Sequence, residues 1–192
     1  ENQACFRPDQ SNVVFVATSV EELTDRCQSP FMLSVDDKEW GFEKFGAEQY
    51  WRNSASNDVT YAAHAYWTGT KPTSPYENYA TWTPQLWLDG WYEVWVYIPL
   101  LFNSRDDTRG ARYEIKTAAD SWRTALVDQA AYNLSHDRNV TDRWFRVGAY
   151  WLEGNQPGVG QVKLGDYTGE SGRGIGVDAV KWVYRGRDQN PR

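Results

Sequence analysis

Gly90-Trp91-Tyr92-Glu93-Val94-Trp95-Val96-Tyr97-Ile98-Pro99 is the stretch on which the reading of the fold turns. Successive side chains of a β-strand point to opposite faces. Tyr92, Val94, Val96 and Ile98 therefore share one face, and this set reads as core. Trp91, Glu93, Trp95 and Tyr97 share the other. That second set is large, flat and aromatic with one carboxylate, either covered by a loop or open as a platform. Leu88-Asp89-Gly90 supplies a turn before the strand and Pro99 a stop after it.

The same pattern recurs on both sides. Tyr79-Ala80-Thr81-Trp82-Thr83 reads as a strand ended by Pro84. In Ala111 to Thr117, residues 111, 113, 115 and 117 face inward, while Arg112, Glu114 and Lys116 face water, as in a half-buried antiparallel strand. Trp144 to Leu152, Gln161 to Leu164 and Ile175 to Tyr184 read as further strands. Residues 120 to 143 read as a short strand and a long loop, and the Gly-rich run from 165 to 174 as a turn region. Many short strands with turns between them, and almost no helix, predict an all-β, jelly-roll-like antiparallel β-sandwich.

Before this pattern lies a piece of different character, residues 1 to 34. Val13-Val14-Phe15-Val16 reads as a strand, and Ser19 with Glu22 forms a capping-box pattern that predicts a short helix near 20 to 27. Both cysteines, Cys5 and Cys27, fall here. One disulfide between them is the economical reading, worth roughly 3 kcal/mol by chain entropy; two buried thiols are the alternative. The expected organisation is an N-terminal extension over 1–34, a sandwich over 35–184 and a polar tail over 185–192. The opening Glu1-Asn2-Gln3 reads as the end of a processed or excised chain, and with the cysteines it implies a secreted, extracellular setting.

Composition narrows the function. The 192 residues include 41% hydrophobic side chains, enough for a core at this size. The 11 Trp and 12 Tyr point either to some rings at a contact surface or to a Trp-rich core, which β proteins favour. The net charge of −6 with no basic stripe argues against nucleic acid, and no apolar run is long enough to span a membrane as a helix.

Several of these segments are also familiar as a set. Ala80-Thr81-Trp82-Thr83-Pro84 followed by Gly90 to Pro99 resembles the golvesin C-terminal and xanthan lyase carbohydrate-binding-like domain. Ala111 to Ile115, Val127-Asp128-Gln129, Trp144 to Tyr150, Val162-Lys163-Leu164 and Val177 to Trp182 are similar to the elements that follow in that family, and Val35-Asp36-Asp37 with Gly41-Phe42 to its opening. The resemblance covers residues 35 to 184. It implies a jelly-roll-like sandwich of secreted proteins, often attached to enzymes, with a carbohydrate-binding role. The first 34 residues and the length from Gln129 to Arg143 depart from the pattern.

The chemistry expected from the residues is binding rather than catalysis. His64 and His136 lack metal-ligand spacing and a nucleophile motif, and each reads as a surface or loop histidine. Asp36-Asp37 and Asp106-Asp107 are adjacent, so in extended chain their carboxylates diverge and make poor catalytic pairs. Asp36, Asp37 and Asp178 are candidates for a structural calcium, which takes carboxylate and carbonyl oxygen. The glycines from Gly169 to Gly176 lack the ending of a phosphate loop. Sugars pack C–H faces on flat rings and satisfy hydroxyls on polar neighbours. Trp91, Glu93, Trp95 and Tyr97 from the sheet, with Trp67, Tyr76 and Trp87 from loops, are the candidate glycan-binding residues. The alternative is an assembly subunit of a surface layer, sheath or filament, self-associating through the Val13–Val16 strand.

Overall fold

Alternation of apolar and polar side chains becomes sheet throughout the chain. The computed structural model describes residues 31–101 and 107–188 in full and the backbone of 3–6 and 14–17. Its strands are β1 (Gln3–Phe6), β2 (Val14–Ala17), β3 (Met32–Val35), β4 (Phe42–Phe45), β5 (Arg52–Asn53), β6 (Tyr66–Gly69) and β7 (Tyr79–Trp82). They continue as β8 (Gly90–Tyr97), β9 (Ala111–Ala118), β10 (Ser121–Val127), β11 (Trp144–Leu152), β12 (Val162–Gly165), β13 (Gly174–Val177) and β14 (Val180–Gly186). One α-helix, α1 (Gln129–Ser135), lies between β10 and β11.

The strands pair antiparallel in two main sheets. The front sheet runs β11-β8-β14-β3 and the back sheet β10-β9-β12-β7-β4. A small sheet β13-β6-β5 closes one side, and β1 pairs β2 in a separate hairpin. The chain is thus an all-β sandwich. The core lies between the main sheets, where Val94, Val96, Val180 and Trp182 of the front meet Trp82, Tyr113, Ile115 and Leu164 of the back. Burying each such side chain stabilises by about 2 kcal/mol. Both central indoles have their N–H satisfied: Trp82 donates to the Asp178 carbonyl at 2.8 Å and Trp182 to that of Gly160 at 3.0 Å.

Some expectations change. Residues 129–135 form α1 where a loop was expected, because the Asp128 carboxylate caps the helix by accepting from Ala131 N at 2.7 Å. Gln129, fully buried, then exchanges hydrogen bonds with Gly176 in both directions and donates to the Tyr113 hydroxyl, which ties α1 to β13 and β9. The closing strand expected over 175–184 is two strands in different sheets, with Asp178 and Ala179 at the break. Gly176 lets Pro99 pack closely on β13, since a Cβ there would come within 2.7 Å of the Pro99 ring. The front sheet takes in Met32–Val35, and β14 runs on through Arg185 to Gly186. The expected helix near 20–27 and residues 189–192 lie outside the described residues. So do Cys27 and the side chain of Cys5, and with them the expected disulfide.

Candidate functional site

The outer face of the front sheet carries the aromatic set read from the sequence. Strand β8 is central, and pairing lays neighbours from β11 and β14 beside each of its residues. Trp151 sits opposite Trp91, Arg146 and Lys181 flank Trp95, and Trp144 sits opposite Tyr97. The middle is ionic. Glu93, 8% exposed, accepts from Arg146 Nε at 3.0 Å on one oxygen and from Arg185 Nε at 3.0 Å and Nη2 at 2.5 Å on the other. Burial by itself would raise the Glu93 carboxyl, but the Arg185 hydrogen bonds and the charges of Arg185 and Arg146 outweigh it and hold the group below its ordinary value. Both arginines stand at β-bulges, β11 shifting register between Arg146 and Gly148 and β14 between Tyr184 and Gly186. A bulge re-aims side chains, and here both turn toward one carboxylate.

The two ends of this face differ. Trp91 and Trp151 meet edge to face at 6.1 Å, and Trp151 is 40% exposed. At the other end Tyr97 is only 3% exposed, donates its hydroxyl to the Thr141 carbonyl at 2.6 Å, and packs against Tyr61 and Trp144. Lys181 lies over the rings of Trp95 and Trp144, at 5.3 and 4.2 Å from their centres. Tyr97 therefore belongs to the packed structure and not to an open platform, a correction to the expectation for it.

The other candidates do not join this face. Trp67 sits half-buried in β6, opposite Gly176 and Arg52. Tyr76 packs over the back sheet, where a Cβ on Gly165 would lie 2.2 Å from its ring. Trp87, 44% exposed, projects from the loop before β8, with its carbonyl accepting from Asn155 Nδ2 at 3.2 Å. On the back sheet's outer face cations lie over several of the rings, while Trp122 stays 41% exposed. Lys163 lies over Tyr76 and Tyr79 at 4.4 and 4.9 Å, and Arg112 over Tyr167 at 4.9 Å. Trp151, Trp144, Arg146, Lys181 and Arg185 were not singled out from sequence; only strand pairing brings them beside β8.

The acidic candidates do converge. Asp36, Asp37 and Asp178 are all buried, and each leaves its Oδ1 without a hydrogen-bond partner. The divergence expected of Asp36 and Asp37 fails because the chain turns after β3 and is not extended there. Burial drives Asp36 and Asp37 up to about 6, and Asp178 is raised well above its ordinary value by burial and by the two other carboxyls. A protonated member of the Asp36–Asp37 pair can donate to the other. Asp178 Oδ2 accepts from Tyr61 N at 3.0 Å, and Asp37 Oδ2 lies 2.6 Å from His64 Nδ1. His64 is thus no free surface residue, and burial lowers its pKa from the ordinary value. Among the described residues no three His, Cys, Asp or Glu side chains enclose a metal position by themselves. The donor chemistry is that of a hard cation's ligands, since each of the three carboxylates keeps an orphaned oxygen.

No family model matches the chain, and no curated protein does. Among solved structures, a Paenibacillus xanthan lyase matches with a TM-score of 0.59 at 20% identity, over 80% of this chain and 13% of that one. The CBM22-1–GH10 modules of a Clostridium thermocellum xylanase, complexed with xylohexaose, match at 0.40 and 13% identity, over 76% of this chain and 26% of theirs. The catalytic domain of a GH87 α-1,3-glucanase matches at 0.42 and 10% identity, over 84% and 30%. This chain thus spans a small part of each protein it resembles. The likeness to xanthan lyase establishes a shared β-sandwich fold with a segment of a carbohydrate-active enzyme.

Proposed function

We propose that this chain is a secreted, non-catalytic carbohydrate-binding module of the golvesin C-terminal and xanthan lyase type, which holds glycan on the outer face of its front sheet. The observation that carries this reading is the Trp91–Trp151 pair, with the Trp151 indole exposed and Trp91 one same-face step along β8 from the Arg146–Glu93–Arg185 bridge. A flat ring next to fixed polar groups is the arrangement that takes a sugar's C–H face and its hydroxyls together. The fold shared with a segment of xanthan lyase is consistent with it. The test is a screen against soluble and insoluble polysaccharides read by Trp fluorescence and pull-down. Saturable binding that Trp151→Ala weakens is the expected result. Failure across a broad panel, together with an oligomer that dissociates when residues 1–18 are removed, would move the function to assembly through the β1–β2 hairpin, which pairs with neither main sheet.

Asp36, Asp37 and Asp178 would hold a structural calcium, which would neutralise three buried carboxyls and brace the β3–β4 turn against the β13–β14 break. Calcium is expected to raise Tm and chelator to lower it, and Asp178→Asn to abolish that response. A Tm indifferent to calcium would remove the metal from the proposal.

A further inference from the structure

We infer that the glycan held on the front face is acidic, a uronate-bearing polysaccharide whose carboxylates meet Arg146 and Arg185 while its ring faces meet Trp91 and Trp151. This rests on the reading that the front face binds glycan, and adds the chemical class of the ligand. Charge is the first ground. The chain carries −6 overall, yet among the described residues this face bears Arg146, Lys181 and Arg185 against the acid Glu93, three cations to one anion. The balance stays positive with Asp142 counted at the rim beside Lys181. A basic face on an acidic protein attracts a polyanion and orients it there.

Geometry is the second ground. A neutral sugar needs hydroxyl partners, which one arginine or an amide supplies. Here two guanidiniums from two strands are both brought to the centre of the face by register shifts beside them, and Glu93 fixes their orientation. Arg185 uses Nε and one Nη2 hydrogen on Glu93; a guanidinium has five donor hydrogens, so a second carboxylate can be met without breaking the first contact. The bridge lies one same-face step along β8 from Trp91, about 7 Å at strand spacing. A sugar stacked on the indole pair therefore presents a ring carboxylate, its own or its neighbour's, at the arginines. Glu93 acts as a positioning residue, holding two donors ready so that binding need not order them.

The test is affinity electrophoresis and calorimetry against polygalacturonate, alginate and hyaluronate, each paired with its carboxyl-reduced form, with dextran sulfate as a charge-only probe. At least one uronate polysaccharide is expected to bind, weakening about tenfold or more on carboxyl reduction. Arg185→Gln, at a partly exposed site, should reproduce that loss on the acidic form and leave the reduced form unaffected. Trp151→Ala should weaken both forms. Equal binding of the reduced form would overturn the acidic class while leaving the glycan reading intact. Binding to no glycan of either kind would remove both. Dextran sulfate binding as tightly as any uronate, unaffected by Trp151→Ala, would reduce the face to a charged patch and overturn the inference.

Discussion

The two outer faces of the sandwich carry similar residues to different ends. On the back face, cations lie over the rings: Lys163 over Tyr76 and Tyr79, Arg112 over Tyr167, with Phe45 stacked on Tyr79 at 4.6 Å. There the ring faces and the charges partly satisfy each other, although Trp122 on the same sheet remains 41% exposed. On the front face Lys181 also lies over Trp95 and Trp144, but the two arginines turn to Glu93, and the Trp151 indole stays 40% exposed. Aromatic content therefore does not mark a binding surface. What matters is which rings stay open once strand pairing has set their neighbours in place.

Substitutions can break this contrast. The largest effect is expected from Tyr79→Ala, which empties the stack between Phe45 and Lys163 and should cost about 3 kcal/mol in chemical denaturation. A loss under about 1 kcal/mol would mean the back face is not held by its own rings. Glu93→Ala should cost about 2 kcal/mol, reduced from the value for a fully buried pair because both arginines are about a third exposed. This effect has a pH signature. Because the folded Glu93 titrates lower than the unfolded one, its contribution is present above the unfolded value of 4.5 and lost as pH falls through the folded value. Between pH 6 and 3 the wild type should thus lose more stability than Glu93→Gln; parallel pH curves would contradict the bridge. Trp151→Ala should weaken glycan binding about tenfold, near 1.4 kcal/mol, while changing stability less than about 1 kcal/mol. A large stability loss there would make the front face structural like the back. The smallest effect is expected from Lys163→Met, about 0.5 kcal/mol from lost cation–π contact with no change in glycan binding.

Most strands were legible because their faces differ in water affinity. The alternation in Trp91 to Ile98 and in Ala111 to Thr117 names the buried side correctly: Val94, Val96, Tyr113 and Ile115 are core. Trp144 to Leu152 is found with the bounds expected. Helix α1 was missed although Asp128 is a good cap residue, because its run of Ala, Tyr and Asn carries no clear apolar stripe and its anchor is the polar Gln129. The split between β13 and β14 was missed because Ile175 to Tyr184 is almost continuously apolar, and such a run does not reveal which sheet each half joins.

The candidate site was half legible. Strand periodicity placed Trp91, Glu93, Trp95 and Tyr97 on one face, since side-chain direction in a strand is a local property. Which of them stay open is not local. Tyr97 is sealed by Tyr61 and Trp144, and Trp91 is completed by Trp151, 60 positions down the chain. The sequence by itself determined an all-β chain, its core-facing residues and the aromatic face of β8, because two-residue alternation is written in neighbouring side chains. Only the tertiary structure decided that Arg146 and Arg185 converge on Glu93, that Lys163 closes the back face, and that Asp36, Asp37 and Asp178 share one buried place. Those meetings depend on strand order and register, and no short-range pattern encodes them.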